Sequence, residues 1–262
     1  MSLPAAGRPQ IYRLVLWNID LTLVDVTRVV RDACAEAFGQ VTGQPLVALP
    51  QMAGRTDSEV FFESLALNPA ASGPGQPWPP PHAEIAADQE LLARYLSALA
   101  AAFCARRELL PRNGRLLPGA AQAVAAVAGL PGAVQSVLTG TIRPNAAQKL
   151  AAFGLQQYFD LDIGGYASEV YPKGAELLRS RGRAAQKYHA EFGEQATVYL
   201  ADSGRDVEAA RMGGARCIAL ASGRSTTAEL REAGADLVLS DLTDTGAVVA
   251  AVDRLTTAVA AC

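Results

Sequence analysis

The pattern of apolar and polar positions changes period twice along the chain. Leu14 to Trp17 is an unbroken apolar run, the pattern of a strand buried on both faces of a parallel sheet, and it stops at Asn18. From Val26 to Phe38 the period becomes helical, with Val29, Val30, Ala33, Ala37 and Phe38 on one face, until Gly39 and Gly43 interrupt it. Ala53 to Asp57 reads as a turn, with Thr56 or Asp57 placed to cap a helix over Ser58 to Leu67. Asn68 to His82 holds six prolines and two glycines, which predicts a loop. Helical spacing resumes from Ala83 to about Leu110, and Pro111, Gly114, Pro118 and Gly119 close the block. Residues 26–117 thus carry helical patterns and no strong strand.

Beyond Gly119 helix and strand alternate, as in a parallel sheet with crossover helices. The predicted order is helix Ala120–Ala128, strand Ala133–Leu138, helix Pro144–Phe153, a short strand Leu161–Ile163 and a long helix Lys173–Phe192. Strand Thr197–Leu200, helix Val207–Met212, strand Cys217–Leu220, helix Thr226–Ala233, strand Leu237–Leu239 and a closing helix Val248–Val259 follow. The fold class is therefore α/β, a Rossmann-like parallel sheet with an inserted helical subdomain. The division expected is a disordered leader over 1–10, a core of 11–25 and 118–262, and a helical insertion over 26–117.

Composition narrows the partners. Half of the 262 residues are apolar, enough for a substantial core. A net charge of −3 without a basic tract argues against nucleic acid. No apolar run approaches a membrane span and no signal peptide is visible. Cys34, Cys104, Cys217 and Cys262 are scattered without a Cys-x-x-Cys pair, which fits reduced thiols and a cytoplasmic location. With only His82 and His189, a histidine-rich metal site is excluded.

The candidate chemistry lies at strand ends, where open α/β sheets keep their ligand crevice. Asn18, Asp20 and Thr22 follow the first strand at alternate positions. Thr139 and Gly140 end the second, and Lys173 opens a helix after Pro172. Asp202 and Asp206 follow strand Thr197–Leu200, four residues apart. Hard oxygen donors on such a loop suit Mg²⁺, although Asp206 equally suits the first turn of a helix.

In this order the four segments resemble the motifs of the haloacid dehalogenase superfamily, whose first motif is an apolar strand followed by Asp-x-Asp-x-Thr. The resemblance covers Tyr12 to Val259, with residues 26–117 matching the helical cap that many members insert after that motif. It implies an Mg²⁺-dependent phosphomonoesterase acting on a small phosphorylated metabolite through an aspartyl-phosphate. Asp20 would be the general acid and base, Thr139, Gly140 and Lys173 would hold the phosphoryl group, and residues 18, 20, 202 and 206 would hold Mg²⁺. Thr22, and Arg55 in Gly54-Arg55-Thr56-Asp57, would contact substrate.

The departure is at the nucleophile, where this chain has Asn18. An amide oxygen is neutral and its nitrogen lone pair is delocalised, so attack on phosphorus would build an unstable imidate. Turnover is therefore expected to be lost or strongly reduced. A catalytically silent binding protein for phosphate ligands is the alternative. Asp20 disfavours a dehalogenase, since dehalogenases of the superfamily generally lack this second acid. Ala201 in place of the family glycine is a smaller departure. Substrate identity and oligomeric state stay open, because selectivity in such folds lies in the cap and loops.

Overall fold

The computed structural model describes residues 11–68, 85–167, 172–257 and 259–260. The predicted leader over 1–10, most of the proline-rich loop, His82 and Cys262 lie outside the described residues. In chain order the elements are β1 (Ile11–Trp17), β2 (Val24–Asp25), α1 (Thr27–Thr42), α2 (Asp57–Leu67), α3 (Ile85–Ala105), α4 (Leu110–Asn113), β3 (Arg115–Leu116), α5 (Ala120–Ala128), β4 (Ala133–Val137) and α6 (Arg143–Ala152). There follow α7 (Lys173–Tyr188), β5 (Thr197–Ala201), α8 (Gly204–Gly213), β6 (Arg216–Leu220), α9 (Thr227–Glu232), β7 (Leu237–Leu239), α10 (Thr245–Leu255) and β8 (Val259–Ala260), with short 3₁₀ turns between.

The main sheet runs β4-β1-β5-β6-β7, all parallel. The apolar run of β1 is central, and Leu14, Val15, Leu16 and Trp17 are wholly buried between helices on both faces. One core layer gathers Val15, Trp17, Val198 and Leu200 with α5 and α10. The other gathers Leu14, Leu16 and Tyr199 with α7 and α8. Each such side chain contributes roughly 1.5–3 kcal/mol on burial, so this strand order is strongly specified.

The insertion leaves and rejoins the sheet side by side. Val24 and Asp25 pair antiparallel with Leu116 and Arg115, so the outgoing and returning linkers form a two-stranded tie. Between them, α1 and α3 pack through Ala33, Ala37 and Phe38 against Leu99, Ala102 and Phe103. Phe61 of α2 stacks on Tyr95 of α3 at 4.1 Å. Thr56 is the residue that caps α2, accepting from the Glu59 amide while the Glu59 carboxylate accepts from the Thr56 amide.

Four expectations are corrected. Leu161–Ile163 forms no strand, and only a bridge between Leu138 and Gly165 continues the sheet there. The long helical pattern after Ala83 ends at Ala105 and continues as a 3₁₀ turn and α4. Helix α7 ends at Tyr188 because His189 turns left-handed at φ 51°. The closing helix stops at Leu255, and Val259–Ala260 instead pairs antiparallel with Tyr12 and Ile11.

Candidate active site

At the C-terminal end of β1 the chain leaves the sheet in a tight turn. The Asn18 amide still donates to Leu200 O, and Leu23 N donates back to Ile19 O. This puts the Asn18 side chain between β5 and the start of α7. Its Nδ2 donates to Asp202 Oδ1 at 3.0 Å and to the Asp20 backbone carbonyl at 3.1 Å. Its Oδ1 accepts from Lys173 Nζ at 3.4 Å.

Lys173, at the first turn of α7, is buried and pairs with Asp206. Asp206 is wholly buried, with Oδ1 also accepting from Tyr199 Oη at 2.9 Å and Oδ2 from Ser203 Oγ at 2.5 Å. Both of its oxygens are thus committed to protein donors, and its observed task is to hold Lys173. Asp202 is 2% exposed and accepts from Thr22 Oγ1 at 2.9 Å as well as from Asn18. Burial, and then the neighbouring Asp206 carboxylate, push the Asp202 carboxyl upward against the pull of Thr22, Asn18 and Lys173.

Asp20 points the other way. Its two oxygens accept from Lys149 Nζ at 2.9 and 2.7 Å, while that lysine is 1% exposed on α6. Lys149 also donates to Thr141 Oγ1 at 3.3 Å and lies over the Phe103 ring. Thr141 in turn donates to Asp57 Oδ2 at 3.2 Å, the same oxygen that accepts from the Ile142 amide at 2.9 Å. A polar chain therefore runs from Asp20 through Lys149 and Thr141 to the first residue of α2. Burial pushes the Asp57 carboxyl up to about 6 despite Lys149 and the Ile142 amide.

These groups surround a cavity of about 80 Å³ between the sheet and the insertion. Asn18, Asp20, Gly140, Lys149 and Lys173 line one side, and Val30, Met52, Arg55 and Val60 the other. Arg55 sits at this boundary, where its guanidinium donates to Gln51 O and pairs with Glu63. Gly140 lies directly under the backbone of Arg55.

Of the residues expected from sequence, Asn18, Asp20, Arg55, Gly140 and Lys173 meet at this cavity. Four others do not line it, and one of them is Asp202, buried behind Asn18. Thr22 is wholly buried and orients Asp202. Thr139 is 2% exposed with its hydroxyl accepting from the Thr141 amide, and Asp206 is closed off behind Lys173. The expected substrate contact through Thr22 is corrected accordingly, since a side chain with no exposure cannot meet a ligand. Sequence reasoning missed Lys149, Thr141 and Arg224, all at the cavity wall.

The donor set can be tested against Mg²⁺. The cation prefers several oxygen ligands in near-ideal octahedral geometry and dehydrates reluctantly. Here the Asp20 and Asp206 carboxylates are paired with lysines, and Asn18 turns one N–H toward Asp202 and the other toward the Asp20 carbonyl. Among the described residues no three Asp, Glu, His or Cys side chains converge as a metal site. As these residues stand, they do not fit Mg²⁺.

Comparison with known proteins agrees with this architecture. A family model described as haloacid dehalogenase-like hydrolase matches residues 15–211, and one described as HAD-hydrolase-like matches residues 180–245. No curated protein matches the chain. Among solved structures, a predicted phosphatase from Clostridium acetobutylicum is 16% identical with a TM-score of 0.66, over 92% of this chain and 99% of that one. CbbY from Rhodobacter sphaeroides, in complex with phosphate, is 21% identical with a TM-score of 0.58, over 91% and 99%. A hydrolase from Pseudomonas syringae is 19% identical with a TM-score of 0.60, over 94% and 100%.

Proposed function

The chain belongs to the haloacid dehalogenase-like hydrolases, and from that premise we propose that its cavity is a phosphomonoesterase site for a small phosphorylated metabolite, arrested at the nucleophile by Asn18. The observation that carries this reading is the convergence of Asn18, Asp20 and Lys173 on one small cavity at strand ends. Phosphoryl transfer needs little covalent chemistry beyond an attacking oxygen, charge compensation and a proton donor. Lys173, held by Asp206, supplies a point charge beside residue 18. Asp20 lies on the same wall, within reach of a leaving oxygen once it turns from Lys149. In this reading Mg²⁺ would offset charge on the phosphoryl group when a carboxylate stands at position 18. The helices between β2 and β3 would act as the cap that closes over the substrate.

Restoring the carboxylate by Asn18→Asp is expected to produce Mg²⁺-dependent hydrolysis across a panel of phosphorylated sugars, nucleotides and organic acids. The chain as written should be silent or many-fold slower on the same panel. A folded Asn18→Asp protein without activity on any member of the panel would remove the hydrolytic reading. The alternative, a phosphate-ligand binding protein without turnover, would then lead. It is favoured by one observation: the Asn18 amide is fully hydrogen-bonded within the site rather than poorly accommodated there.

A further inference from the structure

We propose that in this chain the Asn18 amide nitrogen stands where a divalent cation would otherwise be needed, so that the site is assembled without metal. Two oxygens from distant parts of the sequence, Asp202 Oδ1 and the Asp20 carbonyl, approach the same Asn18 nitrogen at 3.0 and 3.1 Å. A primary amide has two N–H donors, and each finds one of these acceptors. The orientation is fixed by its surroundings. Turning the amide over would set Oδ1 against both oxygens and aim Nδ2 at the Lys173 ammonium.

Charge counting gives the same answer. Asp20 is matched by Lys149 and Asp206 by Lys173, whereas Asp202, against Asn18, is held by no lysine hydrogen bond among the described residues. Two neutral donors, the Asn18 amide and the Thr22 hydroxyl, serve its Oδ1. A carboxylate at position 18 would remove one of those donors and face Asp202 with a second negative charge. Two such groups in a buried space require a cation or a shared proton. The amide removes the second charge and satisfies both oxygens with no ion to dehydrate.

This inference goes beyond the hydrolytic reading and stands or falls without any activity measurement. The test is thermal unfolding of the full chain in EDTA and in excess Mg²⁺, beside its Asn18→Asp variant. The chain as written should show the same Tm in both. Asn18→Asp should unfold at lower temperature in EDTA and rise by roughly 5–10 °C when Mg²⁺ is saturating. A comparable Mg²⁺ shift in the chain as written, or no shift in the variant, would overturn the proposal. Should the variant fail to fold in EDTA, calorimetric titration of Mg²⁺ into the chain as written decides alone. No saturable heat is expected, and one-to-one binding would refute the substitution of amide for cation.

Discussion

Lys149 shows how a site residue escapes sequence reading. A lysine on an amphipathic helix ordinarily points to water, and nothing in a motif marks this one. The available signal was positional: on α6 it shares the inward face with Asn145, Ala146 and Leu150, all buried. Asn18 and Asp202 stood out through motif spacing at strand ends, whereas Lys173 was marked only by Pro172 before it and the amphipathic helix after it. The roles of Thr22 and Asp206 were not legible, since those depend on neighbours 180 and 33 residues away. The Asp20–Lys149 pair also predicts an asymmetry. Asp20 is 38% exposed and can rehydrate, whereas Lys149 is 1% exposed and cannot. Asp20→Ala should therefore cost about 2–3 kcal/mol, and Lys149→Met only about 1 kcal/mol, because a buried unpaired ammonium is the costlier remnant. Urea unfolding of both variants and the double mutant checks this. Equal single costs would overturn the asymmetry, and a double mutant showing their full sum would mean that the pair is not coupled.

At the scale of elements, local pattern sufficed wherever an element is set by its own residues. Helix α5 and strand β7 fall where the periodicity puts them, and the Thr56–Glu59 capping box starts α2. It failed at β8, whose partners lie about 250 residues away on β1, so its short apolar run reads as a continuing helix. Helix α2 carries a pH signature of its own. Asp57 titrates near 6 in the folded protein against 3.8 as the ordinary value. The folded state therefore holds a proton that the unfolded chain releases, and this stabilisation is present below about pH 4 and lost as pH rises through 6. The loss should amount to roughly 1–3 kcal/mol, the lower figure if residual water contact screens the carboxylate. Asp57→Asn keeps an acceptor for Ile142 without the charge, so its stability relative to the parent should rise between pH 4 and 7. Urea unfolding at both pH values measures the difference, in which every other titrating group cancels. A constant difference would show that Asp57 has the same pKa in the folded and unfolded chain.

Over the whole molecule, the α/β architecture was readable because the five strands of the main sheet path are parallel and short apolar segments alternate with helical patterns along the chain. What the sequence could not convey is how closely the helical insertion sits on the sheet. That contact is made largely by backbone. Asp57 N donates to Gly140 O at 2.7 Å, and a Cβ on Gly140 would lie 1.9 Å from the Arg55 carbonyl oxygen. Across the same seam Gly54 adopts φ 68°, and a Cβ there would lie 2.5 Å from Ser203 Oγ. No side-chain motion relieves a clash with a carbonyl, so Gly140→Ala must displace the segment from Arg55 to Asp57 as a unit. The displacement would lengthen the Asp57 to Gly140 bond and loosen Asp57 from Ile142 and Thr141. It would also open the cavity wall on the Arg55 side. Hydrogen exchange at the Asp57 and Ile142 amides should accelerate at least several-fold in Gly140→Ala. Amides in β5 and β6 should keep their protection, because local opening does not require the sheet to unfold. In an Asn18→Asp background the same change should raise KM more than it lowers kcat, since it disturbs enclosure of the substrate before it disturbs Lys173 or residue 18. Unchanged exchange at Asp57 and Ile142 would mean that the insertion can shift without losing these bonds, and that the glycine at 140 is not what sets its distance from the sheet.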